Sequence, residues 1–247
     1  MEFLPVSVPA ALAAIAIIVA GSTMQSATGL GVGLLAAPLL FLIDPVFVPG
    51  PSILSSLSLT IPMAIRGRQH IDRDLLWPVI LGLPPGAILA GALMADMDGP
   101  VYRVAFGAVL LIAVIMSAAG WRPVRTPAVY FVTSALSAIV GTVAAVGGAV
   151  LALLYQDQAG PAVRATLALL YTIAISIMVV VLAVIGRFGA DEAIVTLLLI
   201  PAWLLGYRVS RPLAAYLDAG RTRTVILLIS GGSALFLIVR DGAGLLP

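Results

Sequence analysis

The chain has 247 residues, of which 62% are hydrophobic and 10% charged, with a net charge of +2 and a mean hydropathy of +1.17. A soluble domain is usually about 45–50% apolar and about 25% charged, so this composition excludes a soluble enzyme, a nucleic-acid-binding protein and a disordered chain. Long unbroken apolar runs favour a polytopic helical membrane protein over an outer-membrane β-barrel, whose strands alternate over about ten residues.

Ten apolar segments follow one another along the chain, separated by charges or by clusters of Pro and Gly. They are residues 8–21, 27–43, 52–65, 75–94, 101–119, 128–139, 143–155, 165–185, 193–207 and 224–239. A helix that crosses a bilayer needs about 20 residues, and the fourth, fifth and eighth segments reach this length easily. The first, sixth and seventh segments are short. The N-terminus lacks the basic region of a secretory signal, so we expect the first segment to be retained in the membrane.

Three groups of residues in the first half recur in the same order in the second half. The matches are Gly86, Asp98 and Arg103 with Gly206, Asp218 and Arg223, residues 29–33 with 144–148, and residues 69–72 with 188–191. Five segments in each half give an odd number of crossings, which inverts the second copy in the membrane. We therefore expect one integrated all-α transmembrane domain, built from two inverted repeats at residues 1–120 and 121–247.

The arginines agree with this layout. If the loop that holds Arg66, Arg68 and Arg73 is cytoplasmic, and if residues 128–155 enter the membrane and return, ten of the 13 arginines lie inside. Most of the acidic residues then lie outside, together with both termini. This distribution is the positive-inside bias of an inner-membrane protein.

The first segment pair of each half is rich in glycine and small polar residues. Residues 8–43 are interrupted at 21–26 and again at 28–33, and residues 128–155 are interrupted near Gly141-Thr142 and Gly147-Gly148. Broken helices at membrane depth occur where protein or a water-filled cavity covers the backbone, and paired breaks in two inverted halves indicate a transporter's substrate site. Small residues also let helices pack closely, which is the alternative explanation for either cluster alone.

The expected ligand is a small anion. Exposed N–H groups at a helix start attract negative charge, glycine permits close approach, and neutral hydroxyls and amides can donate hydrogen bonds. The candidate substrate-binding residues are Gln25, Ser26, Thr28, Gly29, Gly31, Gly33, Ser55, Ser56, Thr142, Gly147, Gly148, Thr166 and Arg164. The ten segments contain no Asp, Glu or His, which argues against a metal-ion transporter and a carboxylate-driven proton pump. We expect no cofactor, no metal site and no catalytic residues.

A family resemblance rests on these same stretches. The run Gly31-Val32-Gly33-Leu34-Leu35-Ala36-Ala37-Pro38, the stretch Arg164-Ala165-Thr166-Leu167 and the two similar halves resemble the sulfite exporter TauE/SafE family of anion permeases. The resemblance implies movement of sulfite, sulfonates or related small anions across the bacterial inner membrane. It also implies site roles for the glycines of both clusters, Gly29, Gly31, Gly33, Gly147 and Gly148.

The predicted function is a secondary transporter that exports a small sulfur-containing anion by alternating access, with the anion held at the two breaks. The expected partners are this anion and the lipid bilayer, without nucleic acid, and self-association into a homo-oligomer is left open. Two other functions also fit the sequence. One is a drug/metabolite exporter with continuous helices, and the other is a membrane subunit that does not transport. A membrane enzyme is a weak third alternative, since no catalytic constellation is present.

Overall fold

The chain is helical throughout the part that the computed structural model describes, residues 5–28, 33–97, 99–120, 123–156, 160–213 and 219–242. Its α-helices are α1 Val8–Thr28, α2 Gly33–Ile43, α3 Gly50–Gly67, α4 Leu76–Ala95, α5 Gly99–Ala118, α6 Pro127–Ala144, α7 Gly147–Ala152, α8 Pro161–Val184, α9 Ala190–Leu213 and α10 Ala219–Gly242. Short 3₁₀ turns at Pro45–Phe47, Arg68–His70 and Leu153–Tyr155 follow α2, α3 and α7. The predicted all-α fold is confirmed, and the described residues form no strand.

Seven of the described helices are long and apolar enough to cross a bilayer. They are α1, α3, α4, α5, α6, α8 and α9. By contrast, α2 has 11 residues and α7 has six, so neither can cross alone. Each of these short helices follows a full-length helix, α1 or α6. The sequence predicts that the seventh segment, which contains α7, is short, but it does not predict this of the second segment, which contains α2.

Two of the four predicted breaks are absent, whereas the break predicted near Gly147-Gly148 is present between α6 and α7. Helix α1 is continuous through residues 21–26, and α6 is continuous through Gly141 and Thr142. Small polar residues are tolerated in both helices because their hydroxyls bond back to the preceding turn. Thr23 donates to the carbonyl oxygen of Val19 at 2.7 Å, and Thr142 donates to that of Ala138 at 2.8 Å. The first and sixth segments are therefore full spans rather than short ones.

Close helix crossings hold the bundle together, and glycines make them close. On α4, a Cβ at Gly86 would overlap the backbone of Ala135 in α6. On α9, a Cβ at Gly206 would overlap Ser22 and the carbonyl oxygen of Val19 in α1. Helix backbones approach this closely where small residues occupy the crossing point. The two glycines matched in sequence thus perform the same packing role in two different helix pairs.

Loop contacts tie the ends of the helices. At one end, Arg125 before α6 lies 3.6 Å from Asp72 before α4. At the ends of other helices, Arg187 donates to the carbonyl oxygen of Met94 at 2.8 Å, and Arg103 in α5 pairs with Asp241 in α10 at 3.2 Å. A cation at the last carbonyls of a helix satisfies acceptors that have no partner within the helix. These contacts fix the frame within which the two short helices lie.

Candidate functional site

The break between α6 and α7 is a sharp change of backbone direction. Ala145 takes the left-handed conformation with φ 59°, and its N–H donates to the carbonyl oxygen of Gly141 at 2.9 Å. Helix α7 begins two residues later, and its N-cap residue Val146 provides no side-chain hydrogen bond. The first N–H groups of a helix have no partner within that helix. This end of α7 therefore offers backbone donors inside the protein.

Side chains from two other helix faces hold the broken segment. Ser137 of α6 donates to the carbonyl oxygen of Gly147 at 2.7 Å. Tyr171 of α8 donates to the carbonyl oxygen of Gly148 at 2.9 Å. A Cβ at Gly147 would overlap the carbonyl oxygen of Ser137 and crowd Gly141, so glycine is required there. The start of α7 is thus pinned between α6 and α8.

The beginning of α2 meets this break directly. Gly33 is the first residue of α2, and a Cβ on it would overlap the carbonyl oxygen of Ala145 and touch the Cα of Val146. No side chain fits between these two pieces of backbone. The chain immediately before Gly33, residues 29–32, falls outside the described residues.

A cavity of about 80 Å³ lies where the short helices meet. By this measure a single water needs about 10–15 Å³, so the cavity can hold a small solute. Glycines from both short helices line it, namely Gly33, Gly147 and Gly148. Its polar side chains are Gln25, Ser52, Ser56, Thr60, Ser137 and Tyr171, and most of its remaining wall is Ala, Ile, Leu, Met and Trp203.

Four of the five hydroxyls in the described wall already donate hydrogen bonds within the protein. Ser52 donates to the carbonyl oxygen of Pro49 at 2.9 Å, and Ser56 donates to that of Ile53 at 2.6 Å. Each would have to rotate away from its carbonyl to donate to an anion. The backbone N–H groups at the start of α7 are therefore better suited to bind negative charge in this conformation.

The structure brings only part of the predicted site together. Gln25, Gly33, Ser56, Gly147 and Gly148 line the cavity. Gly29 and Gly31 lie outside the described residues, as does the side chain of Thr28. The hydroxyl of Ser26 is buried without a hydrogen-bond partner in the described part of the chain, and Ser26 is not among the residues lining the cavity.

Four other candidates serve different contacts. The hydroxyl of Ser55 accepts a hydrogen bond from the Nε1–H of Trp203 at 2.9 Å and donates one to the carbonyl oxygen of Pro51 at 2.6 Å. Thr142 faces back into its own helix, and Thr166 accepts from the backbone N–H of Asp72 at 2.8 Å. Arg164 lines a smaller cavity of about 10 Å³ beside the first.

Sequence reasoning missed several wall residues, including Ser52, Thr60, Ser137, Tyr171 and Trp203. A usable signal existed for α3, because Ser52, Ser56 and Thr60 are spaced four residues apart and so share one helix face. Ser55 is one position off that face. No comparable pattern marks Tyr171 or Trp203, which read in sequence as ordinary core aromatics.

Comparison with known proteins decides the family. The family model described as sulfite exporter TauE/SafE matches residues 13–237. The chain belongs to this family. The match extends from α1 into α10 and includes both short helices and every described residue of the cavity wall.

Family membership gives the general role. The TauE/SafE family implies a membrane exporter for anions of the sulfite and sulfonate type, and its members are transporters rather than enzymes. With seven membrane-length helices in its described part, the chain is a multi-pass membrane protein. No significant match was found among curated proteins or among solved structures.

Proposed function

We propose that this protein is a secondary transporter that exports sulfite or an organosulfonate across the bacterial inner membrane, with the anion bound in the cavity between α2 and α7. The observation that carries the proposal is the meeting of the short helices α2 and α7 at one cavity, with Gly33 on one side and Gly147 and Gly148, at the start of α7, on the other. The N-terminus of a helix carries partial positive charge and free N–H groups, which suit a small anion.

The binding chemistry follows from the wall. Backbone N–H groups at the breaks and the amide of Gln25 would donate to the sulfonate or sulfite oxygens, with Ser56 as an additional hydroxyl near them. The apolar wall, including Ile175, Met178 and Trp203, would accept the organic part of a sulfonate. A negative interior potential favours exit of an anion by about 2.3 kcal/mol per charge per 100 mV, so export needs no carboxylate in the protein.

The helix pairing supports two inverted repeats and alternating access. Under the proposed repeat, α1 corresponds to α6 and α4 corresponds to α9. Helix α4 packs against α6, and α9 packs against α1, which is the relationship that a two-fold axis would produce. In addition, α3 packs against α8 and α5 packs against α10. Under the proposed repeat, the two helices of each of these pairs correspond to each other. Rocking of one half against the other would expose the cavity to each side in turn.

The break at Ala145 and Val146 favours this proposal over the drug/metabolite exporter, which requires continuous helices in this region. The cavity of about 80 Å³, lined by polar groups from several helices, favours a transporter over a subunit that does not transport.

The proposal is tested by sulfite and alkylsulfonate efflux from proteoliposomes, comparing the original protein with two Ala→Leu variants on α8. Ala174 is buried and lines the cavity, whereas Ala183 is exposed on the same helix. We expect saturable efflux that Ala174→Leu abolishes and Ala183→Leu leaves intact. Wild-type efflux in Ala174→Leu would show that the anion binds elsewhere. Absence of efflux in the original protein for both anions would contradict the proposed function.

A further inference from the structure

The central cavity has a small neighbour toward the start of α8. This outer cavity, of about 10 Å³, shares three wall residues with the central one, namely Gln25, Thr60 and Tyr171. Its other wall residues are Met63, Arg164, Leu167 and Ala168. The two cavities therefore adjoin at those three shared side chains.

One face of α3 runs through both spaces. Ser56 lines only the central cavity, Thr60 lines both, and Met63 lines only the outer cavity. These residues are four and three positions apart, so they form a single stripe along the helix.

The facing stripe on α8 runs in the opposite direction. Arg164 lines the outer cavity, Tyr171 lines both, and Met178 lines the central cavity, with spacings of seven residues that keep one helix face. Helices α3 and α8 pack against each other along this length. Together the two stripes form a continuous track from Arg164 to the place where α2 and α7 meet.

The junction between the two cavities is held by hydrogen bonds. Tyr171 is 7% exposed, and its hydroxyl is bonded to the carbonyl oxygen of Gly148 at 2.9 Å. On the next residue, the Thr172 hydroxyl donates to that of Thr60 at 3.1 Å. An outer cavity of about 10 Å³ has room for about one water, which is less than an oxyanion occupies.

Arg164 supplies the charge that this track otherwise lacks. It is the one charged side chain among the described residues that line either cavity, and it is exposed to solvent. A guanidinium presents a planar fork of donors that matches the oxygens of a sulfonate or sulfite group, as it does for carboxylate and phosphate.

We propose that Arg164 forms an outer subsite where the anion first binds, and that Tyr171 controls its passage between this subsite and the central cavity. The inference rests on the proposed function, since it assigns the route to the same anion site. An anion held by Arg164 enters when Tyr171 releases Gly148, and release of that bond also frees the start of α7. Movement of the anion between the two cavities is thereby linked to the position of α7, which forms part of the central binding site.

Cysteine accessibility tests the route, since the chain contains no cysteine of its own. Reporter cysteines are placed singly by Met63→Cys in the outer cavity and Ser56→Cys in the central cavity. Each is reacted with an anionic and a cationic methanethiosulfonate of similar size, added to one face of membrane vesicles at a time. The reagent that carries a sulfonate group also mimics the proposed substrate class.

From the Arg164 face, we expect Ser56→Cys to react about tenfold more slowly than Met63→Cys, because a closed gate limits access. Adding Tyr171→Ala should raise the Ser56→Cys rate about tenfold from that face, while Tyr171→Phe, which keeps the ring, should raise it far less. Equal labelling rates at Ser56→Cys and Met63→Cys, measured with Tyr171 unchanged, would overturn the proposal that Tyr171 controls passage. This comparison needs no variant of Tyr171.

For the outer subsite, Arg164→Gln should lower the ratio of anionic to cationic labelling at Met63→Cys by about tenfold, through loss of electrostatic attraction. Arg164→Lys should retain most of the ratio at low salt. An unchanged ratio in Arg164→Gln would overturn the subsite. Labelling does not require transport, so sulfite efflux by the original protein separates failure of this inference from failure of the proposed function.

Discussion

Gly33, the first residue of α2, packs directly on the carbonyl oxygen of Ala145, the left-handed residue that ends α6. The contact joins the two interrupted regions of the chain, which are more than a hundred residues apart in sequence. It leaves no space for a side chain, so the relative position of α2 and α7 depends on the absence of a Cβ at this point.

The first prediction concerns this contact. Gly33→Ala forces a Cβ into backbone that cannot move aside as a flexible side chain could, and overpacking of this kind typically costs about 1–3 kcal/mol. We expect a lower thermal unfolding midpoint in detergent and loss of sulfite efflux. The matched control is Gly232→Ala in α10, where a Cβ meets nothing within 4 Å. It should leave the midpoint unchanged or raise it, since Ala is favoured over Gly in a helix by about 1 kcal/mol. Equal midpoints for both variants would contradict the packing described.

The second prediction tests the repeat through its crossing glycines. Gly86→Ala and Gly206→Ala should each destabilise the protein by about 1–3 kcal/mol, because each Cβ would overlap backbone in the opposing helix. Thermal unfolding of the two variants under one detergent condition measures this. A neutral effect at one position, with a large effect at the other, would argue against equivalent roles for the α4–α6 and α9–α1 crossings.

The third prediction uses Trp203 as a reporter of binding. Trp203 lines the cavity and is 4% exposed, whereas Trp77 is 71% exposed. In a variant with Trp77→Phe and Trp121→Phe, the remaining indole should change its fluorescence in a saturable way when an alkylsulfonate is added. Trp203→Phe, which also removes the bond to Ser55, serves as the blank. A variant that transports normally but shows no saturable change would place the anion away from this wall.

The fourth prediction concerns the driving force. The described residues around the cavity include no acidic side chain that could carry a coupled proton. The negative charge of the substrate itself is then the charge that crosses the membrane. Efflux should therefore proceed under an imposed potential without a pH gradient, and it should rise with the potential because each charge moved gains about 2.3 kcal/mol per 100 mV. Efflux that stops whenever the pH gradient is removed would require a coupled proton.

The sequence predicted the all-α class of fold and the short segment that contains α7, because these depend on composition and on the length of apolar runs. It also predicted short segments at residues 8–21 and 128–139, which are parts of the full-length helices α1 and α6, and it did not predict that α2 is short. It located the break near Gly147-Gly148, but it also predicted breaks at residues 21–26 and near Gly141-Thr142 that do not occur, because hydroxyls such as that of Thr23 can bond within the helix and so do not interrupt it. The true break after α6 is marked by the backbone of Ala145, and an alanine carries no local signal for a left-handed conformation.

The site was only partly predictable for a related reason. Ser55 and Ser56 have the same side chain, so chemistry alone makes both of them equal candidates. They differ in the face of α3 on which they lie: Ser55 bonds to Trp203, whereas Ser56 lies in the cavity wall. Thr166 lies beside Arg164 in the motif, yet its hydroxyl is used to hold the loop at Asp72. Which partner a hydroxyl meets depends on tertiary packing, which one sequence does not contain.

The central claim is that the anion binds between the two helix starts. It is tested most directly by an anomalous-scattering crystal structure with a bromoalkylsulfonate bound to the protein. We expect a bromine peak in the central cavity against the apolar wall near Trp203, with the sulfonate group facing Gly33, Gly147 and Gly148. A peak at another location, in crystals of protein that transports the same compound, would contradict it.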